Sequence, residues 1–238
     1  MSQLATPRQT TVPPPDEPTF VPPLENGDRL TRHEFERRYR AMPSRIRAEL
    51  IEGVVVMASP VRADGHGDQH ADLLTWAGIY RLHTPGVRCS DNATVRLDLD
   101  NEPQPDVCLY IDPARGGAAR IVDGYIEGAP EFVAEVAAST VSHDLGPKLT
   151  AYRRNGVREY LVWRVQDAAV DWFVLRDGRF DPLPPGADAV TRSEVLPGLW
   201  LDTAALARGD LVRVHAVLHQ GLADAAHTAF IARLTPPA

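Results

Sequence analysis

The chain has little cysteine: two residues, Cys89 and Cys108, among 238. They lie far apart with no second pair, which argues against both a disulfide framework and a cysteine zinc site. No uninterrupted apolar stretch approaches the roughly 18 residues a membrane span needs. The N-terminus also lacks the basic segment and apolar run of a secretory signal. A reducing, cytoplasmic setting is the expectation. Excess positive charge is missing as well, with a net charge of −7 and a pI near 5.6. That weighs against a protein whose main task is to hold duplex nucleic acid by neutralising phosphates. It leaves room for an enzyme with a local basic rim, because a summed charge does not say where the charges lie. There is no Gly-Lys-Ser/Thr phosphate loop, no Gly-x-Ser-x-Gly elbow and no Rossmann glycine pattern after a strand. No internal repeat is visible.

What is present is ordinary globular material, 44% hydrophobic and 24% charged, in a chain long enough to bury a substantial core. The first 27 residues hold seven prolines and little apolar periodicity, so residues 1–27 read as a flexible tail. Residues 28–238 then form one domain. Thr31 and Glu34 spell a capping box for a helix to about Met42, before Pro43. Arg45 to Met57 breaks at Glu52-Gly53 between apolar runs, a hairpin signal. Gly67 to His83 is an amphipathic helix closed by Pro85-Gly86. Strands follow within Val87 to Asp98 (VRLDL), at Val107 to Ile111 and at Phe132 to Ala137, the last two separated by a glycine- and alanine-rich loop from Pro113 to Gly128. Leu145, Leu149 and Tyr152 mark a helix that stops at Asn155-Gly156. Strands at Arg158 to Val165, Ala169 to Leu175 and Arg179 to Leu183 precede a helical extension from Thr203. Strands interleaved with helices define an α/β class with a mixed sheet flanked by helices.

Glu135 is the most informative residue. It sits within EFVAEVAA, a run composed like a strand covered on both faces. A carboxylate there must be compensated by a cation, a metal or a raised pKa. A salt bridge to a core arginine would serve as well as a functional site. Asp106 opens the apolar run PDVCLYI after Gln104-Pro105, and proline has no donor for a ladder, so Asp106 belongs at a strand's start or edge. If the two strands are neighbours, two carboxylates converge, and oxygen-only ligation suits magnesium or manganese. Taken alone, Asp106 is as well explained as a turn or cap residue. Lys148 follows Asp144, a plausible N-cap, and Pro147 in the first helical turn, and it flanks the buried side of that helix. Its ammonium could return toward the carboxylates, although taken alone a lysine on a first helical turn reads as a solvated surface charge. Glu49 alternates with Leu50 and Ile51 in the first hairpin strand, as a fourth charged group or an exposed strand residue. His66 and His70 are four apart without a third zinc ligand or HExxH spacing. They read as phosphate contacts or as a helix start.

These stretches resemble the Uma-type restriction-endonuclease-like proteins, within the nuclease superfamily marked by a Pro-Asp…Asp/Glu-x-Lys signature. The matching pieces are AELIEG (Ala48 to Gly53), the histidine-led helix from His66, QPDV (Gln104 to Val107), APEFVAEVAAST (Ala129 to Thr140), DLGPKLTAYRRNGVREYLVW (Asp144 to Trp163) and SEVLPGLWL (Ser193 to Leu201). The resemblance implies a restriction-endonuclease-like fold in which Glu49, Asp106 and Glu135 are metal-site acids for Mg2+ or Mn2+ and Lys148 is the catalytic lysine. Glu49, Asp106, Glu135 and Lys148 would together be the catalytic set, with His66 on substrate. Two departures are visible. The position two after the strand acid, where the superfamily usually has its lysine, is Ala137. The family's usual Ser-Pro-Ser after the strand is Ala138-Ser139-Thr140. The function expected is a metal-dependent endonuclease acting on DNA, with a homodimer suited to double-strand cutting. The alternative is a catalytically idle or regulatory protein-interaction module on the same fold, which the acidic net charge favours.

Overall fold

A computed structural model describes residues 20–57 and 67–235. In chain order, helix α1 (Arg32–Ala41) precedes the hairpin β1 (Ala48–Ile51) and β2 (Val54–Met57), and α2 (Gly67–His83) precedes β3 (Val87–Asp91), β4 (Val95–Arg96) and β5 (Val107–Ile111). A small hairpin, β6 (Arg120–Val122) and β7 (Tyr125–Glu127), leads to β8 (Phe132–Ala137). One helical turn, α3 (Val141–His143), runs into a π-helical turn over Asp144–Lys148 and then α4 (Leu149–Arg154). Strands β9 (Glu159–Arg164), β10 (Ala169–Arg176), β11 (Arg179–Pro182), β12 (Thr191–Arg192) and β13 (Trp200–Leu201) follow. Helices α5 (Thr203–Ala207), α6 (Leu211–Leu222) and α7 (Ala225–Leu234) close the described chain.

The central sheet has the order β11-β10-β9-β8-β5-β3 and is antiparallel except for β8 beside β9. That parallel pair requires a crossover, supplied by α3, the π turn and α4. Strands β5 and β8 are buried at every position, and β9 at all but its last residue, which is why they read as apolar runs. Alternation splits them between two cores. Val107, Leu109, Phe132, Ala134, Val136 and Leu161 pack against Trp76, Tyr80 and the C-terminal helices. Cys108, Val133, Ala137, Tyr160 and Val162 face Tyr152 of the crossover. Glu135 alternates onto this second face. A smaller cluster joins α1 to the first hairpin through Phe35, Leu50 and Val55.

Several expectations are corrected. Thr31 makes no side-chain cap, and the Glu34 carboxylate that would complete the box is held instead by Arg37 and Arg38 at 2.7 Å each. The expected VRLDL strand stops at Arg96, where Asp98 accepts from the Asp100 N–H at 2.8 Å and from the Asn101 side chain at 3.0 Å, folding an Asx turn. The expected loop from Pro113 to Gly128 contains the β6–β7 hairpin, turned by Asp123 and Gly124 at φ 51° and 83°. Of the segment expected as a tail, residues 1–19 lie outside those described. Leu24 is 3% exposed in the α1–hairpin cluster, and the Gly27 N–H donates to the Val55 carbonyl at 2.8 Å, so packing begins before Asp28.

Candidate active site

Glu49 reaches the site because the first hairpin has two faces. Ala48, Leu50 and Val55 pack on Leu24 and Phe35, so Glu49, Ile51, Val54 and Val56 take the opposite side. The turn between the strands holds Glu52 and Gly53 at φ 51° and 72°, a two-residue connection that fixes this register. Glu49 Oε1 accepts the Gln104 N–H at 2.6 Å and lies 3.0 Å from Lys148 Nζ. Gln104 returns two contacts, to the Ala48 carbonyl and the Tyr39 hydroxyl, both at 3.3 Å. The Gln-Pro-Asp segment is thereby clamped to the hairpin.

Asp106 stands just ahead of β5. Continuing the register Val107↔Ala134 by one step puts it opposite Glu135. Its Oδ2 accepts the Val136 N–H at 2.7 Å. Its carbonyl meets His70 Nε2 at 3.0 Å, and the same nitrogen lies 3.0 Å from Asp91 Oδ1. His70 therefore ties α2 to the strand ends around the site. His66, the expected substrate contact, lies outside the described residues.

Glu135 Oε1 accepts from Lys148 Nζ at 2.9 Å and from the Tyr152 hydroxyl at 2.8 Å. Asp144 stands 3.9 Å from the same ammonium and accepts from Thr140 Oγ1 at 2.6 Å. Asp144 is thus a buried inward acid and does not serve as the expected N-cap. The helix begins earlier, and Pro147, lacking an N–H, falls inside a π turn closed by the Leu149 N–H on the Asp144 carbonyl. Tyr160 donates to that carbonyl at 3.0 Å and holds the widened turn in place.

Three carboxylates, from Glu49, Glu135 and Asp144, surround one ammonium, and Asp106 adds a fourth negative group beside Glu135. Burial pushes the Glu135 carboxyl well above its ordinary range, opposed by Lys148, and Asp106, Asp144 and Glu49 push it further. Burial alone would pull the Lys148 ammonium down, but Glu135, Glu49 and Asp144 outweigh it and hold the group well above its usual value. The lysine stays charged, and the neighbouring acids share its single positive charge. Burial also raises Asp144 and Tyr152.

The donor set is all oxygen and carries more negative charge than its single cation offsets, which suits a hard divalent ion. In kind and charge the residues fit magnesium or manganese. In arrangement the ammonium stands between Glu135 and Glu49, and among the described residues no three acidic, histidine or cysteine side chains already ring a common point.

Sequence reasoning brought Glu49, Asp106, Glu135 and Lys148 to one place and missed Tyr152 and the inward role of Asp144. A signal was available: Asp144, Lys148 and Tyr152 recur every fourth residue, the spacing of one helical face. A second lay in composition, since Lys148 is the only lysine in the chain, the other 24 of 25 basic residues being arginine. Arginine keeps its proton and presents a broad fork, whereas lysine offers a compact charge that fits between two carboxylates.

A mixed sheet between helices, with acids from neighbouring strands meeting a lysine from the crossover, defines a restriction-endonuclease-like protein. The chain belongs to the Uma2 family, described as "Putative restriction endonuclease", whose pattern matches residues 32–204. Helices α6 and α7 lie beyond that match. Among solved structures it is similar to "a putative nuclease belonging to DUF820" from Anabaena variabilis ATCC 29413. The two are 14% identical with a TM-score of 0.54, over 72% of this chain and 97% of that one, a likeness of fold. No curated protein matches the chain. Among the described residues no helix is long and apolar enough to cross a membrane.

Proposed function

We propose that this protein is a metal-dependent endonuclease that hydrolyses phosphodiester bonds of DNA at the Asp106–Glu135–Lys148 site. The observation that carries the reading is the surplus of buried carboxylate around the sole lysine, which costs stability without a cation and has no use in a purely structural core. Asp106, Glu135 and Glu49 would hold magnesium or manganese, which supplies polarisation of the scissile phosphate and a more acidic bound water. Lys148 orients the attacking water and stabilises charge that develops on the phosphoryl oxygens. Tyr152 fixes the Glu135 carboxylate through its hydroxyl, and Thr140 fixes Asp144. Cutting both strands of a duplex would call for a homodimer, and a cytoplasmic location would give access to DNA.

The test is cleavage of plasmid and single-stranded DNA by the full chain with magnesium, manganese, calcium or EDTA. Cleavage is expected with magnesium or manganese, together with a rise in Tm on adding either ion, because a site that binds only when folded stabilises the fold. No cleavage and no Tm change with any ion would favour an interaction module in which Lys148 permanently closes the acidic site.

A further inference from the structure

Beside the acids lies a groove of about 400 Å3 that takes no part in holding Lys148. One wall is the site-facing side of the first hairpin, Ile51, Val54 and Val56, with Glu52 at its end. The other is the turn that carries the lysine, namely Ser142, His143 and Pro147. Both walls continue directly from the site: Glu49 is the cross-strand partner of Val56, and Pro147 immediately precedes Lys148. The lining is mostly apolar. Glu52 is already engaged by Arg154 at 3.0 Å and by Asn101 at 3.3 Å. His143 is the exception, since both ring nitrogens are shielded from solvent and neither has a hydrogen-bond partner among the described residues. A buried polar group left unpaired is costly, and a histidine ring offers at least one donor in any protonation state.

We infer that this groove receives an unpaired nucleobase of the DNA strand adjoining the scissile phosphate, with the His143 ring turning out of its shielded position to hydrogen-bond the base edge. This rests on the endonuclease reading of the neighbouring acids. A phosphate held at Lys148 brings its own nucleotide alongside, and the groove adjoining the site is lined by the apolar surface that a base face requires. In a duplex the faces are stacked on neighbouring pairs and only edges are offered, so an occupant that lays its face on Ile51, Val54 and Pro147 must be unpaired. The volume matches one nucleoside, at the small end of the roughly 300–1,000 Å3 of small-molecule sites. The site therefore prefers single-stranded or locally opened DNA.

The experiment uses the full chain with calcium in place of magnesium. It measures fluorescence anisotropy on a short single-stranded oligonucleotide, the same strand with every base removed, and a duplex of equal length. Two variants accompany it, Ser142→Trp, which fills the groove from an exposed position, and His143→Ala. The parent should bind the single strand about 10-fold more tightly than the duplex, and base removal or Ser142→Trp should cost about 5–10-fold, the range expected of one stacked base. His143→Ala should lose about 5-fold for the same strand while the abasic strand stays unaffected. If His143→Ala does not fold, Ser142→Trp and the abasic strand still decide the matter. Affinity indifferent to bases and to both variants, in a parent that cleaves DNA with magnesium, overturns the groove and leaves the nuclease standing. Base-dependent binding without cleavage in any metal does the reverse, and a parent that neither binds nor cleaves DNA overturns both.

Discussion

At the scale of single residues the site obeys a charge count, and the count separates two substitutions that a simple ion pair would make alike. Glu135→Gln removes one acid from the cluster while Lys148 keeps Glu49 at 3.0 Å and Asp144 at 3.9 Å. The metal-free protein should therefore stay within about 1 kcal/mol of the parent or become more stable, while cleavage and metal-induced stabilisation disappear. Lys148→Met removes the only cation from the cluster and should cost about 3–5 kcal/mol without metal. Added magnesium should recover part of that loss, yet cleavage should not return. Urea denaturation in EDTA and in magnesium reads both, and equal losses for the two variants would make Glu135–Lys148 an ordinary structural pair. A second residue prediction lies away from the site. Burial, with Glu36 beside it, pushes the Glu102 carboxyl from 4.5 up to about 8, against Arg96. The folded protein holds that proton after the unfolded chain has lost it, so stability should fall as pH rises from about 4.5 to about 8. Glu102→Gln, whose amide can donate as the protonated acid does, should remove that slope and gain about 1–3 kcal/mol above pH 8. Unchanged pH dependence would show that Glu102 is not its source. The acids and the lysine were legible because a charge inside an apolar run demands compensation. Tyr152 was not, since a tyrosine at a helical core position reads as packing until its hydroxyl has a partner.

At the scale of elements, the strands were legible and their modifications were not. Strands β5, β8, β9 and β10 lie where apolar runs between turn residues put them, because burial on one or both faces writes itself directly into composition. The π turn left no such mark. A helical wheel with 100° steps places Lys148 beside the buried side, but Pro147 widens the turn and brings Asp144 inward too. The end of α4 is clearer, because Gly156 at φ 83° lets the Val157 N–H return to the Tyr152 carbonyl at 3.0 Å. Open space surrounds the place its Cβ would occupy, so Gly156→Ala should cost only the left-handed strain, about 1–2 kcal/mol in chemical denaturation. A loss below a few tenths would mean the helix end refolds around the alanine. Before α1, Leu24→Ala should cost about 2–4 kcal/mol by emptying the hairpin cluster. A neutral result would return that segment to the tail.

For the molecule as a whole, the topology separates what is firmly held from what is lightly attached. The six-stranded sheet has helices on both faces, whereas the first hairpin forms a sheet of its own. It joins the remainder through the Leu50↔Glu102 bridge, the Gly53 N–H on the Asp100 carbonyl, the Glu49 and Glu52 contacts and the α1 cluster. Amides of Leu50 and Val55 should thus exchange with solvent faster than those of Val133 and Leu161, and magnesium should slow the hairpin selectively by tying Glu49. Uniform protection across both groups would count against a separately opening hairpin. Sheet order was beyond the sequence because pairing between distant strands depends on tertiary packing that no local pattern encodes.

The solitary lysine makes the site its own spectroscopic label. Reductive methylation with carbon-13 formaldehyde converts amines to dimethylamines and leaves arginine untouched, so the side-chain resonance it adds can come only from Lys148. That nitrogen is buried between carboxylates, so its rate of modification reports how often the cluster opens. The chemical shift of the methylated amine would then follow metal, nucleotide and pH without a single engineered residue.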